Sequence, residues 1–299
     1  MDTVVFGAGS LGSLVGGLLA RDHDVTLVAR RDHAAAVTDA GLQITDAVDR
    51  HVFPDATTDG RNLEADLALV TVKAFDTPTA AETLATGSFE AVLSLQNGMG
   101  NEERLADHVD APVLAGTATY GAVLREPGVV ACTGLGKIVL GPRGGGRSTL
   151  ADRVGRAFDG VGLETTVADD MPRRLWEKLA VNAGINPVTA LADVDNGAVV
   201  ESPTNETSRA ATRETARVAR ACGVSLSDQE AIEAMERVAT DTAANTSSMR
   251  QDRKRGRRTE IDAINGYVLE RAADHGLAAP TNRTLTALVR SWERERGLR

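Results

Sequence analysis

Lys178, Asn182 and Asn186 stand four residues apart in the segment Leu175-Trp176-Glu177-Lys178-Leu179-Ala180-Val181-Asn182-Ala183-Gly184-Ile185-Asn186-Pro187. On a helix the three fall on one stripe, while Leu179, Val181 and Ile185 face elsewhere. An ammonium beside two carboxamides can cradle a carbonyl and a hydroxyl. The carboxamides orient the oxygens, and the ammonium stabilises charge growing on a carbonyl oxygen and can deliver a proton to it. Spacing alone fits a solvated stripe or an inter-domain hydrogen-bonding face equally well. Lysine is scarce, with Lys73, Lys137, Lys178 and Lys254 against 29 arginines, so each lysine that remains is a candidate for proton chemistry.

A second constellation opens the chain. Gly7-Ala8-Gly9-Ser10-Leu11-Gly12 is a G-x-G-x-x-G turn, preceded by the strand-like Thr3-Val4-Val5-Phe6 and followed by the helical Leu11 to Arg21 and the strand-like Val25-Thr26-Leu27-Val28. In that context Gly7 allows a tight turn, Gly9 lets the backbone approach a pyrophosphate, and Gly12 lets helix and strand pack closely. The helix N-terminus then faces the phosphates. The end of the second strand selects the cofactor. No carboxylate stands there to hold ribose hydroxyls. Arg30 and Arg31 follow instead, and a guanidinium suits a 2′-phosphate. The expected cofactor is NADP(H), with Arg30 the main contact and Arg31 its backup; a solvated arginine pair is the plainer alternative. Lys73 and Asn97 also stand just past strand-like runs, where ligands of parallel sheets bind.

These groups need elements to position them. Residues 65–72, 91–95 and 113–117 read as further strands, with helical stretches such as Pro78 to Leu84 between them. Val129–Cys132 and Lys137–Leu140, separated by Thr133-Gly134-Leu135-Gly136, read as a β-hairpin closing the first half. From about Met171 the strand signal stops. Residues 205–222, 228–240, 260–275 and 281–294 read as helices, with Gly223 and Gly276 as stops. The expected fold is an α/β N-terminal Rossmann-like parallel sheet with a second, all-α C-terminal domain. The division is 1–168 for dinucleotide binding and 169–299 for substrate and catalysis.

Composition narrows the partners. The chain has 299 residues and a formal net charge of −9, and residues 1–168 alone carry 13 basic and 22 acidic side chains, so the whole excess lies there. Acidic surfaces repel nucleic acid, whose affinity rests on phosphate neutralisation. The basic run Arg250 to Arg258 reads as a solvated helix face or a contact to an anionic cofactor, with no interleaved aromatics to stack bases. Cys132 and Cys222 form no paired motif, and the five histidines flank no second ligand, so no metal is expected. No apolar run reaches membrane length, and no signal peptide is visible at the start. The expectation is a cytoplasmic protein that binds a small molecule and neither nucleic acid nor membrane.

The GAGSLG turn, the VKAFDT and LQNGMGNEE segments, WEKLAVNAGINPVTAL, Ser247-Ser248-Met249-Arg250-Gln251-Asp252 and Thr259-Glu260-Ile261-Asp262-Ala263-Ile264-Asn265-Gly266 together resemble the ketopantoate reductase (2-dehydropantoate 2-reductase) family nearly end to end. The resemblance implies NADPH-dependent reduction of 2-dehydropantoate to (R)-pantoate, on the path to pantothenate and coenzyme A. It implies a Rossmann domain and a helical domain with the active site between them. Carried over by motif, Lys178 is the general acid. Asn97, Asn182, Asn186, Asn196 and Ser248 are substrate contacts. Gly7 to Gly12, Arg30, Lys73, Asn97, Ala122 and Glu260 lie at the cofactor, Glu260 near substrate and ribose. A 2-keto acid is the implied partner, and a homodimer is the oligomer entertained. A reductase of another branched 2-oxo acid and a non-catalytic NADP-binding sensor remain as alternatives.

One geometric condition follows. A straight helix from Ser248 to Glu260 would separate them by about 18 Å at 1.5 Å per residue, beyond one small substrate. If both serve one site the chain must bend between them, and Gly256 is the expected place.

Overall fold

The computed structural model describes residues 1–299, which divide into two compact units: Met1–Gln96 with Asn101–Met171, and Asn97–Gly100 with Pro172–Arg299. The first unit holds twelve strands: β1 Thr3–Phe6, β2 Val25–Val28, β3 Leu42–Asp46, β4 Arg50–Val52, β5 Asp55–Thr57, β6 Glu64–Val70, β7 Ser88–Ser94, β8 Val113–Ala118, β9 Gly121–Glu126, β10 Val129–Gly134, β11 Ile138–Pro142 and β12 Thr165–Val167. Its helices are α1 Ser10–Leu19, α2 Arg31–Ala40, α3 Thr77–Leu84, α4 Asn101–Ala106 and α5 Thr149–Gly160.

Eight strands form one sheet in the order β12-β11-β8-β7-β6-β1-β2-β5, parallel except for the β11–β8 pair. Both of its faces are apolar. Val5, Leu27, Leu67, Leu69 and Leu93 point into one buried cluster, while Val4, Phe6, Ala68, Val70 and Val92 point into another. This period-two alternation between two oily faces is why the strands read as unbroken apolar runs. Register levels one edge of the sheet. Phe6 pairs with Val28 and Val70, and Val70 with Ser94, so β1, β2, β6 and β7 end at one level. The segments beginning at Gly7, Arg30, Lys73 and Asn97 follow those four strand ends.

The expected hairpin does not form. β10 pairs antiparallel with β9 and parallel with β3 in a separate four-stranded sheet, β4-β3-β10-β9. β11 pairs instead with β8 and β12. Residues 135–137 carry the chain from one sheet to the other. A Cβ on Gly136 would lie 2.5 Å from the backbone at Thr119 and Tyr120, so this glycine permits a close chain crossing and makes no turn. The true hairpin joins β9 to β10 across Pro127 and Gly128, the latter at φ 79°.

The second unit is helical: α6 Met171–Ala192, α7 Thr204–Ala221, α8 Asp228–Asp241, α9 Ser248–Lys254, α10 Tyr267–Asp274 and α11 Pro280–Glu295. The helix expected over 260–275 starts later, because a π-helical turn, Asp262–Gly266, precedes α10. Helix α6 packs on α7 at Gly184, where a Cβ would collide with the Thr212 hydroxyl and sit 3.0 Å from the Ser208 carbonyl. Val181, Ile185 and Val188 of α6 are buried with Met235 of α8 and Leu285 of α11. No helix is long and apolar enough to cross a membrane.

Candidate active site

In the first unit the glycine turn is built as its spacing requires. Gly7 adopts φ 96°, and a Cβ there would lie 2.6 Å from Val72 Cγ1. Gly12 seats α1 against the strands, since a Cβ would stand 2.5 Å from the Gly7 carbonyl and collide with Thr71 Oγ1. Thr71 itself donates to the Gly7 carbonyl at 2.9 Å, a support for the turn that the glycine spacing did not reveal. Gly9 differs from both. The nearest heavy atom to a Cβ at Gly9 is the Gly7 oxygen at 3.9 Å, so the space beside it holds no protein atoms. Gly9 caps α1 without a side-chain bond, and the first turn of α1 carries no acid. Its leading N–H groups therefore have no intrahelical acceptor and no carboxylate beside them. An open glycine before bare helix N–H groups fits a dinucleotide pyrophosphate.

Ser10 accepts a bond from the Leu124 N–H at 3.0 Å, which ties the start of α1 to β9. Leu11 and Ala122 pack at the edge of the first unit's main apolar cluster. Arg30 caps α2 and Arg31 begins it, both exposed past the end of β2. Lys73, half-buried, precedes a short 3-10 turn after β6. Behind the loop, His33 is buried between Ser13 Oγ at 2.9 Å and the Gly128 N–H at 3.0 Å. The Gly128 N–H can only donate, so Nδ1 accepts and the proton sits on Nε2. Burial lowers this imidazole's pKa from its ordinary value.

In the second unit α6 carries the stripe. Lys178 and Asn182 are half-buried and Asn186 is 5% exposed. The apolar neighbours Leu179, Val181 and Ile185 are buried, so the helix shows its polar stripe on a different side. Ser248 is exposed at the start of α9, and Ser247 caps that helix by accepting from the Arg250 N–H at 3.2 Å. Ser247 also meets Thr189 of α6, hydroxyl to hydroxyl, at 2.7 Å. The chain then breaks where the geometric condition placed it: α9 ends at Lys254, Gly256 turns at φ 61°, and the buried Glu260 follows outside the helix. Asn196 is nearly buried and donates to the Thr242 hydroxyl at 3.0 Å. Asn97 belongs to the short Asn97–Gly100 loop, anchored where the Met99 N–H donates to the Ala263 carbonyl at 3.0 Å.

The basic run departs from its expected role. Arg250 is 8% exposed, and its Nε donates to Asp193 Oδ1 at 2.8 Å while its Nη1 bonds Asp195. The bond to Arg250 holds the Asp193 carboxyl below the usual carboxylate range. Arg253 donates to the Ala190 carbonyl at 2.7 Å and lies over the Trp292 ring. Arg258 pairs with Asp262 at 3.4 Å. Only Lys254, Arg255 and Arg257 are exposed. Arg250 and Arg253 of α9 turn inward to Asp193, Asp195 and the Ala190 carbonyl, all far off in sequence, while Arg258, past the end of that helix, pairs with nearby Asp262. Thr189, Ser247 and Arg250 are thus residues around the stripe that sequence reasoning missed. The serine before α9 was the one available signal, as a helix cap.

Residues 3–145 match the family described as ketopantoate reductase PanE/ApbA, and residues 170–293 match its C-terminal domain. The 2-dehydropantoate 2-reductase of Halobacterium salinarum is 47% identical, covering 99% of this chain and 100% of that protein. That of Archaeoglobus fulgidus is 39% identical, with 97% of each covered. The crystal structure of a PanE/ApbA family ketopantoate reductase from Ralstonia eutropha superposes with a TM-score of 0.91 at 33% identity, covering 99% of this chain and 100% of that one. A ternary structure of D-mandelate dehydrogenase with NADH and anilino(oxo)acetate superposes at 0.93 with 25% identity, all of both chains covered. Matched over both halves and alike from end to end, the chain belongs to the ketopantoate reductase family.

Proposed function

We propose that this protein reduces 2-dehydropantoate to (R)-pantoate with NADPH, a step toward pantothenate and coenzyme A. The observation that carries the reading is the Lys178–Asn182–Asn186 stripe on α6, an acid aligned with two hydrogen-bonding carboxamides, in a chain 47% identical to a 2-dehydropantoate 2-reductase. Gly7 to Gly12 and the N-terminus of α1 hold the pyrophosphate, and Arg30, with Arg31 beside it, holds the 2′-phosphate. Lys73, Asn97, Ala122 and Glu260 complete the cofactor's surroundings. The nicotinamide, when bound, supplies hydride for the 2-keto carbon.

The chain's own groups handle the rest. Negative charge grows on the 2-oxygen during reduction, and the Lys178 ammonium stabilises it and gives up a proton there. Asn182 and Asn186 donate to substrate oxygens and fix the keto acid's orientation. Ser248 donates to its carboxylate, and Asn97 approaches it from the Asn97–Gly100 loop. Asn196 gives one of its two amide hydrogens to Thr242, and its buried Oδ1 has no protein partner. The working form is a homodimer in the cytoplasm, where its two free cysteines stay reduced; light scattering and fractionation check both.

A second reading has its own support. The likeness to D-mandelate dehydrogenase bound to anilino(oxo)acetate indicates that this scaffold accepts other 2-oxo acids. NADPH oxidation measured without substrate, with 2-dehydropantoate and with a panel of branched and aromatic 2-oxo acids separates the two. The highest kcat/KM for 2-dehydropantoate supports the first reading. A preference for another acid replaces it, and cofactor binding without turnover of any acid leaves only a sensor.

A further inference from the structure

Pro187 lies inside α6, and the helix runs through it from Met171 to Ala192. In an uninterrupted helix the N–H of residue 187 would donate to the carbonyl of Ala183, four residues earlier. Proline has no N–H, and its ring crowds that same carbonyl. Ala183 is fully buried, so water cannot supply the missing donor. The Asn265 carboxamide supplies it: its Nδ2 donates to the Ala183 carbonyl at 3.1 Å.

The orientation of that carboxamide is forced from behind. Glu214 accepts from the N–H groups of Thr281 and Asn282 at the start of α11, and from Asn282 Nδ2 at 2.8 Å. Asn282 Nδ2 also donates to the Ala211 carbonyl at 3.1 Å. Its Oδ1 is left to accept, and it does so from Asn265 Nδ2 at 2.9 Å. The two hydrogens of Asn265 Nδ2 are therefore spent on Asn282 and Ala183, while its Oδ1 stays buried without a partner. An orphaned acceptor is costly, which marks the donor end as the one the site requires. Asn265 sits in the π-helical turn Asp262–Gly266, whose Ala263 carbonyl also anchors the Asn97–Gly100 loop.

Lys178 and Asn182 precede the interrupted bond, and Asn186 lies within the turn that bond would have closed. Resting on the reductase reading, we propose that Asn265 is a positioning residue. Its side-chain N–H replaces the one Pro187 lacks and so keeps the two halves of α6, with Lys178, Asn182 and Asn186, on one face.

The test is a cycle of Asn265→Ala, Pro187→Ala and the double variant, with kcat and KM measured separately and folding checked by near-ultraviolet dichroism. Asn265→Ala in the Pro187 background is expected to lower kcat by about 10- to 100-fold, the scale of a small misplacement of reacting groups. Pro187→Ala restores a backbone donor to Ala183, so in that background the same change is expected to cost less than about threefold. Equal losses in both backgrounds would overturn the proposal. So would a folded Asn265→Ala enzyme with unchanged kcat and KM and only a lower Tm. If Asn265→Ala alone does not fold, the double variant decides: folding with turnover near that of Pro187→Ala supports the proposal, and failure to fold overturns it. A wild-type enzyme that turns over no 2-oxo acid would refute the reductase reading by itself. The cycle is then read in Tm, where a loss confined to the Pro187 background supports the replacement of the N–H and an equal loss overturns it.

Discussion

Thr189 and Ser247 join α6 to the start of α9 through hydroxyl oxygens 2.7 Å apart, both residues buried. Thr189 also donates to the Ile185 carbonyl at 2.8 Å, and Ser247 accepts from the Arg250 N–H. One pair of hydroxyls thus sets where Ser248 begins its helix relative to the Asn186 end of the stripe. Ser247→Ala removes the cap and the link together. It should destabilise the protein by about 1–2 kcal/mol, the range of a lost helix cap. Denaturant unfolding checks this, and a change under about 0.5 kcal/mol, typical of an unconstrained surface site, would show that the link holds nothing.

Lys178→Ala should lower kcat by about 10²–10⁴-fold, the contribution of a general acid. Lys178→Arg keeps the charge but raises the pKa of the donor, so it should recover binding more than turnover. Steady-state kinetics on both variants tests the assignment, and nearly intact kcat in Lys178→Ala would remove Lys178 from the chemistry.

Two glycines of one turn should separate binding from folding. A methyl group at Gly9 meets no protein atom closer than 3.9 Å, whereas at Gly12 it collides with the backbone of Gly7. Gly9→Ala should therefore unfold at the wild-type temperature and lose affinity for NADPH. Gly12→Ala should lose stability by about 1–3 kcal/mol, the cost of overpacking. Thermal melts with and without NADPH distinguish the two. A destabilised Gly9→Ala with normal NADPH affinity would contradict the pyrophosphate placement.

The arginine pair decides the cofactor. Removing the guanidinium that grips the 2′-phosphate should cost about 1.5–3 kcal/mol in NADPH binding and almost nothing in NADH binding. Arg30→Ala and Arg31→Ala, each measured for KM with both cofactors, identify which arginine it is. If neither changes the ratio, the 2′-phosphate lies elsewhere.

His33 makes stability depend on pH. Its folded pKa lies below the ordinary imidazole value of 6.5 because burial disfavours the cation. The unfolded chain then binds the proton more readily, so this contribution is complete above pH 6.5 and declines as pH falls toward the folded pKa. One such proton steepens the stability profile by at most about 1.4 kcal/mol per pH unit. Denaturant unfolding between pH 7.5 and pH 5.5 (a window set about that value) should show this slope in the wild type and lose it in His33→Gln. An identical slope in both would assign the acid sensitivity to other groups.

Patterns carried by near neighbours along the chain were legible before folding. Apolar runs of four to eight residues located the central strands, glycine spacing located the turn after β1, and a four-residue spacing put Lys178, Asn182 and Asn186 on one helix face. Gly256 could be named as a break because a single straight helix would have been too long. Pairing partners could not be read this way. β10 and β11 satisfy a hairpin pattern locally, yet each finds its hydrogen bonds in a different sheet, and the three-residue strands β4, β5 and β12 carry too little periodicity to register. The inward arginines were equally hidden, since nothing near Arg250 in sequence indicates that Asp193 and Asp195 will meet it. The bond from Asn265 to Ala183 spans 82 positions. Local sequence dictates which backbone and side-chain groups need partners, because periodicity and missing donors are local properties. Which distant group satisfies them is decided only when the chain packs and burial makes an unpaired polar group too costly to leave.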